Sequence, residues 1–136
     1  MNKQEEHVII KPIIKTRDSR GWLAEIVRPE DLDSKTSFGQ IFLTVSYPGQ
    51  IKGNHFHKRK TEWYCVVRGR GLLTIRDNNS GERHQYRLSD KKLRLVTIPP
   101  GYSHKIQNTG SEDMHLLVYV NEAFMQSDPD TYPVFL

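Results

Sequence analysis

The sequence holds one cysteine, no hydrophobic run of membrane length and no glycine-rich dinucleotide-binding motif. A lone cysteine excludes an internal disulfide, and the apolar run Trp63-Tyr64-Cys65-Val66-Val67 marks Cys65 as a buried structural thiol rather than a nucleophile. The longest apolar stretches, such as Met114 to Val120, fall far short of the roughly 20 residues a membrane helix requires, so no membrane span is expected. The N-terminal Met1 to His7 lacks the apolar core of a secretory signal, which points to a cytoplasmic protein. There is no recognition-helix pattern, zinc-finger spacing or aromatic RNA-binding signature, so the net charge of +4 and pI near 9.2 do not indicate a nucleic-acid partner.

What the chain does have suits one folded domain. Its 136 residues match a common domain size of about 100–150 residues. At 36% hydrophobic and 26% charged residues it has enough apolar surface to build a core. Short runs rich in Val, Ile, Leu, Thr, Tyr and Phe recur between Gly, Pro, Asn and Asp clusters, the pattern of antiparallel β-structure. The runs predict strands over 8–14, 21–27, 39–47, 53–57, 62–68, 71–76, 82–88, 93–98, 104–108 and 114–120, with a helical turn near Pro29 to Leu32. Arg68-Gly69-Arg70-Gly71 and Asn78-Asn79-Ser80-Gly81 each predict a hairpin turn. Ten short strands imply an all-β closed barrel or two-sheet jelly roll in one domain, 1–136, with residues 121–136 as a C-terminal arm.

The strongest chemical signal lies between Gly49 and Glu62. Strand residues two apart share a face, so His55 and His57 should both enter the barrel with Phe56 turned away. Glu62 opens the next strand after a short basic turn, and a Pro99-Pro100-Gly101 turn delivers His104 at the start of a later one. A lone His-x-His is more often a hydrogen-bonded pair than a metal site, but three imidazoles and a carboxylate suit a borderline divalent ion. Zinc is the leading choice, with iron, manganese, nickel or copper as alternatives; calcium and magnesium fit poorly. Tyr64 should share the barrel face of Glu62 and could donate a proton, with core packing an equal alternative. The dense basic run from Lys52 to Lys60 places positive charge at a pocket mouth, favouring a phosphorylated small molecule. His115 reads as structural, His7 and His84 as exposed, and Trp22 and Trp63 as stacking or core residues.

The spacing Gly49, His55, His57, Glu62 and Gly69, followed by Pro99, Gly101, His104 and Asn108, resembles the two motifs of the cupin superfamily, except that Leu93 replaces the second motif's leading glycine. The resemblance implies a single-domain cupin, a double-stranded β-helix of jelly-roll form. Asp18-Ser19-Arg20-Gly21-Trp22-Leu23-Ala24-Glu25 resembles a segment of the dTDP-4-dehydrorhamnose 3,5-epimerase family that leads into its nucleotide-sugar site, which implies substrate-binding roles for Arg20 and Glu25. Lys52-Gly53-Asn54-His55 resembles that family's Arg-Gly-x-His, whose histidine is the base. In the same family the acid is a tyrosine after the last barrel strand, near the position Phe124 occupies here.

A closer resemblance is to the C-terminal cupin domain of bifunctional capsular-polysaccharide enzymes that epimerise UDP-4-keto sugars. It rests on Gly53 to Glu62, Asn121 to Phe124 and Pro129 to Tyr132, and it implies a metal-containing pocket. The two resemblances compete for His55, as ligand or as base, and the complete ligand set favours ligation. The base is then a bound water or another pocket group, with Tyr64 and Tyr132 as candidate proton donors and Arg20, Lys52 and Lys60 as candidates for diphosphate contacts. The implied activity is epimerisation or isomerisation of a nucleotide-linked 4-keto-6-deoxy sugar in cell-surface polysaccharide biosynthesis, by a homodimer. A metal-dependent oxygenase, a phosphosugar isomerase and a non-catalytic sugar-nucleotide-binding cupin are the rivals.

Overall fold

A computed structural model describes residues 7–32 and 38–136. Its strands are β1 (Ile9–Pro12), β2 (Thr16–Asp18), β3 (Gly21–Leu23), β4 (Gln40–Ser46), β5 (Ile51–Phe56), β6 (Glu62–Arg68), β7 (Arg70–Asp77), β8 (Arg83–Ser89), β9 (Arg94–Ile98), β10 (Tyr102–Asn108), β11 (Met114–Val120) and β12 (Tyr132–Pro133). One five-stranded sheet has the order β1-β9-β6-β11-β4, a second β12-β5-β10-β7-β8, and β2 and β3 form a separate hairpin. Every pairing is antiparallel, giving the expected all-β jelly roll.

The two-residue strand period sorts side chains between two cores. Tyr64, Val66, Leu73, Ile75, Val96, Ile98, Ile106, Leu116 and Val118 fill the space between the sheets. The alternate residues Trp63, Cys65, Leu95 and Tyr119 point to the outer face of the first sheet, where Ala24, Ile26, Val27 and Leu32 cover them. That cover explains why the strand expected over 21–27 stops at Leu23: beyond it the chain leaves β-pairing to lay apolar side chains across the sheet. Each such large side chain removed from water contributes about 1.5–3 kcal/mol. The turn near Pro29 is a single 3-10 turn, and Trp63 Nε1 donates to Asp31 O beside it at 2.9 Å.

One of the two expected hairpins forms. Asn78 to Gly81 joins paired strands β7 and β8, with Asp77 Oδ1 accepting from the backbone of Asn79 and Ser80. The Arg68 to Gly71 turn does not make a hairpin, because β6 and β7 belong to different sheets. Gly69, at φ +83°, turns the chain across the barrel instead.

A β-bulge in β5 sets the frame of the site. His104 pairs with His55 but Lys105 pairs with Gly53, so Asn54 is an extra residue, held at φ +56°. Gly53 is required beside it: φ is +96°, and a Cβ there would lie 2.9 Å from His104 O. The bulge reverses the facing of the residues before it. Lys52, partner of the inward-facing Ile106, therefore points to the barrel side together with His55.

Candidate metal centre and substrate cavity

Three strand ends converge at one end of the barrel. Glu62 at the start of β6 pairs with Ile98 and Val120, while His104 near the start of β10 pairs with His55 near the end of β5. His57 follows β5 directly, and its carbonyl accepts from Gly101 N at 2.8 Å, which ties the two histidine-bearing segments together. The ring centroids of His55 lie 4.9 Å from those of His57 and 4.8 Å from those of His104. One ligand atom from each of His55, His57, Glu62 and His104 falls within 4.8 Å of all the others, and the last three residues are buried.

The charge balance of this cluster calls for a cation. His57 Nδ1 lies 2.7 Å from the Asp130 carbonyl. A carbonyl oxygen only accepts, so Nδ1 carries the proton and the lone pair of neutral His57 is on Nε2, 2.7 Å from Glu62 Oε1. Two acceptors at that distance require a positive charge between or beside them, a proton or a metal ion. His104 Nε2 is buried without a hydrogen-bond partner, although Glu62 Oε1 is 3.0 Å away, while its Nδ1 is held by Tyr102 O at 3.0 Å. An orphaned imidazole nitrogen aimed at a carboxylate is what a divalent ion would satisfy.

The titration behaviour follows the same geometry. Burial opposes ionisation of Glu62, but its contacts with His104 and His57 outweigh burial and hold the carboxyl well below the carboxylate range. Burial, reinforced by His104, lowers His55 to about 4 and keeps it neutral with a free lone pair. Burial also disfavours the charged form of His57, yet Glu62 raises it above an ordinary imidazole. The Tyr64 hydroxyl is pushed up by burial and then by Glu62, so it stays protonated; its ring meets His104 edge-on at 5.7 Å.

A cavity of about 560 Å³ lies at this end of the barrel, lined by Val8, Ile75, His84, Tyr86, Pro100 and Tyr102. Ile75 is the strand partner of His104, so the cavity lies at the same end of the barrel as the cluster, although none of the four cluster residues lines it. His84 and Tyr86 were not among the expected site residues. Their signal was the alternation of β8, which turns His84, Tyr86 and Leu88 toward the same face, and it was masked by the polar composition of that strand. His84 is half exposed and sits 3.0 Å from Glu82.

The structure brings together only some of the expected substrate and proton-transfer groups. Tyr64 joins the cluster, and Lys52 faces the barrel side while donating to Thr44 Oγ1. Tyr132 is the strand partner of Phe56 and stacks on it at 5.3 Å, on the outer face opposite His55. Lys60 is buried with Nζ donating to Pro129 O. Arg20 is exposed on the β2–β3 hairpin and ion-paired with Asp18, and Glu25 pairs with Arg28 on the outer cover of the first sheet. None of these last four side chains is placed at the cluster, because partners nearer in the fold hold each of them. Trp63 is core, and Trp22 is exposed beneath Lys15 Nζ at 4.5 Å.

A family model described as the Polysaccharide biosynthesis C-terminal domain matches residues 16–132. The chain belongs to this family. Over 115 residues it is 31% identical to a UDP-2-acetamido-2,6-beta-L-arabino-hexul-4-ose reductase of Pseudomonas aeruginosa, covering 85% of this chain and 29% of that protein. It is similar to the capsular polysaccharide assembling protein CapF of Staphylococcus aureus, at 38% identity and TM-score 0.71, over 92% of this chain and 35% of the other. The chain thus spans about a third of the length of these two relatives. The fold alone is shared with a dTDP sugar isomerase of Desulfovibrio desulfuricans, at 19% identity and TM-score 0.84, over 96% and 85% of the two chains. Family membership agrees with the cupin reading of the two histidine motifs.

Proposed function

We propose that the protein is an epimerase or isomerase acting on a nucleotide-linked 4-keto-6-deoxy sugar in cell-surface polysaccharide biosynthesis. The observation that carries this reading is the largely buried His55, His57, Glu62 and His104 cluster, at the same end of the barrel as a cavity of about 560 Å³, in a chain of a polysaccharide-biosynthesis family. One relative is named as a reductase of a UDP-linked hexul-4-ose and another as a capsular polysaccharide assembling protein, and the solved structures of the same fold include sugar isomerases and epimerases.

The chemistry fits the residues. A 4-keto group acidifies the neighbouring C–H bonds, so inversion needs removal of a proton, stabilisation of the enolate and return of a proton. The three imidazoles and the carboxylate would hold a divalent ion, zinc by its preference for nitrogen and carboxylate donors, and the ion would supply Lewis-acid polarisation of the ketone. His55 serves as ligand. Tyr64, kept protonated by burial and with its ring against His104, is the candidate proton donor at the cluster, whereas Tyr132 faces away from it. Of the candidate cations Arg20, Lys52 and Lys60, Lys52 is the one on the barrel side and is the candidate for a diphosphate contact. Arg20 and Glu25 could contact the nucleotide only through an assembled neighbour.

The same reading includes one domain with a C-terminal arm at 121–136, a homodimer and a cytoplasmic location. Edge strand β4 supports the dimer, since Ile41 and Leu43 are more than half exposed on its outer face. A reduced, unpaired Cys65 suits a reducing compartment.

Proton NMR in deuterium oxide with UDP- and dTDP-linked 4-keto-6-deoxy sugars tests the assignment. Metal-dependent loss of a proton signal beside the ketone in the wild type, absent in His104→Ala, is the expected result. Binding without exchange would replace it with a sugar-nucleotide-binding module.

A further inference from the structure

Asp130 is unusually placed for a charged residue. It is 2% exposed and sits in the left-handed region at φ +46° without being glycine. Such a conformation costs on the order of 1 kcal/mol or more and persists only where its surroundings hold it. Here the holding is visible. One carboxylate oxygen accepts from Lys58 N at 3.0 Å, and the other accepts from Arg59 N at 2.9 Å and Lys60 N at 3.1 Å. Burial works against the charged carboxylate, but these backbone donors lower its titration below the usual aspartate range.

The side chain therefore clamps the whole turn between His57 and Glu62, and the same residue's carbonyl takes the Nδ1 proton of His57 at 2.7 Å. The neighbouring residues reinforce the clamp. Lys60 Nζ donates to Pro129 O, Arg59 pairs with Asp128 at 3.0 Å and Glu122 at 2.8 Å, and β12 pairs with β5.

We infer that Asp130 is a positioning residue for the metal centre: its carboxylate fixes the His57–Glu62 turn, and its carbonyl selects the His57 tautomer that presents Nε2 to the ion. This deepens the metal-centre reading and rests on it. A carbonyl behind a ligating imidazole orients the ring and strengthens it as a donor, and loss of such a partner typically lowers metal affinity 10- to 100-fold. Asp130 would act on the ion only through His57, 73 residues away in sequence, so the two histidine motifs alone name the ligands but not the residue that orients one of them.

The test compares wild type, Asp130→Asn, Asp130→Ala and, as a control on the same segment, Asp128→Ala. Zinc affinity is measured by competition with a chromophoric chelator, and the His57 tautomer of metal-free protein by nitrogen-15 NMR at a pH above the imidazole's titration, where the ring is neutral. Asp130→Ala keeps the backbone carbonyl but removes the clamp that holds it against His57, so it should bind zinc more weakly, by up to the roughly 10- to 100-fold of a lost partner, and lose the fixed Nδ1–H tautomer. Asp130→Asn, which keeps an acceptor oxygen, should fall between it and wild type, and Asp128→Ala should stay within about twofold. If Asp130→Ala does not fold, the Asn variant alone decides through the same two readouts. Wild-type affinity and an unchanged tautomer in a folded Asp130 variant would overturn the inference, as would equal losses in Asp128→Ala. Failure of wild type itself to bind zinc would instead overturn the metal-centre reading, while the tautomer measurement still decides whether Asp130 orients His57.

Discussion

At the scale of single residues, the barrel segregates reactive groups by facing. Cys65 and Tyr64 are neighbours, yet one is buried under the outer cover and the other beside the imidazoles. Burial pushes the Cys65 thiol up to about 11, so at pH 8 the thiolate is scarce as well as inaccessible. An aromatic disulfide reagent should leave Cys65 unmodified in the folded protein at pH 8 and react fully once denaturant is added. Fast reaction without denaturant would show that the cover formed by residues 24–32 opens. The interior is equally specific in its packing. Leu116 is 2% exposed between the sheets, and Leu116→Ala should lower unfolding free energy by about 2–5 kcal/mol in denaturant titration. The cluster was legible in the sequence because a strand places alternate residues on one face, so His-x-His with Glu62 and His104 at cupin spacing needed no tertiary information. The role of Asp130 was not legible, since the contacts that define it join residues 57–60 to residue 130, and no local pattern encodes a partner that far along the chain.

At the scale of elements, local signals identified strands better than their partners. The apolar runs from β4 to β11 were readable because packing imposes the two-residue period. Two very short strands escaped: β2, which is exposed throughout, and β12, in which one of two residues is a proline. The glycines at 69 and 71 announced a reversal, but a turn that closes a hairpin and one that crosses between sheets need the same positive φ, so the sequence could not tell them apart. The bulge at Asn54 was invisible for a related reason: strict alternation would send Lys52 outward, and only pairing with β10 shows the added residue. Gly53→Ala is accordingly a stringent probe. The new methyl group would press on His104 O while φ stays at +96°, and loss of about 1–3 kcal/mol of stability is expected, together with weakened metal binding through displaced His55 and His104. Thermal melting with parallel zinc titration checks both; an unchanged melting temperature would mean that the bulge can relax to ordinary pairing.

At the scale of the whole molecule, the outer face of β4 makes the assembly testable. Ile41→Glu together with Leu43→Glu should shift a homodimer to a monomer in analytical ultracentrifugation without changing the β-sheet circular dichroism. A monomeric wild type would remove the dimer from the reading, and with it any role for Arg20 and Glu25 that depends on a neighbouring copy. The position of the cluster has a further consequence for how the barrel comes apart. His55 and His104 belong to one sheet and Glu62 to the other, so a coordinated ion is a cross-link stitched through the seam between the two halves of the β-sandwich. With the ion bound, the sheets would separate only once that stitch is cut. Free ion at a hundredfold over its dissociation constant adds about 2.7 kcal/mol to stability, so the melting temperature should climb with zinc and drop on chelation. The thermal transition then reads out occupancy of the pocket directly, with no substrate in the tube.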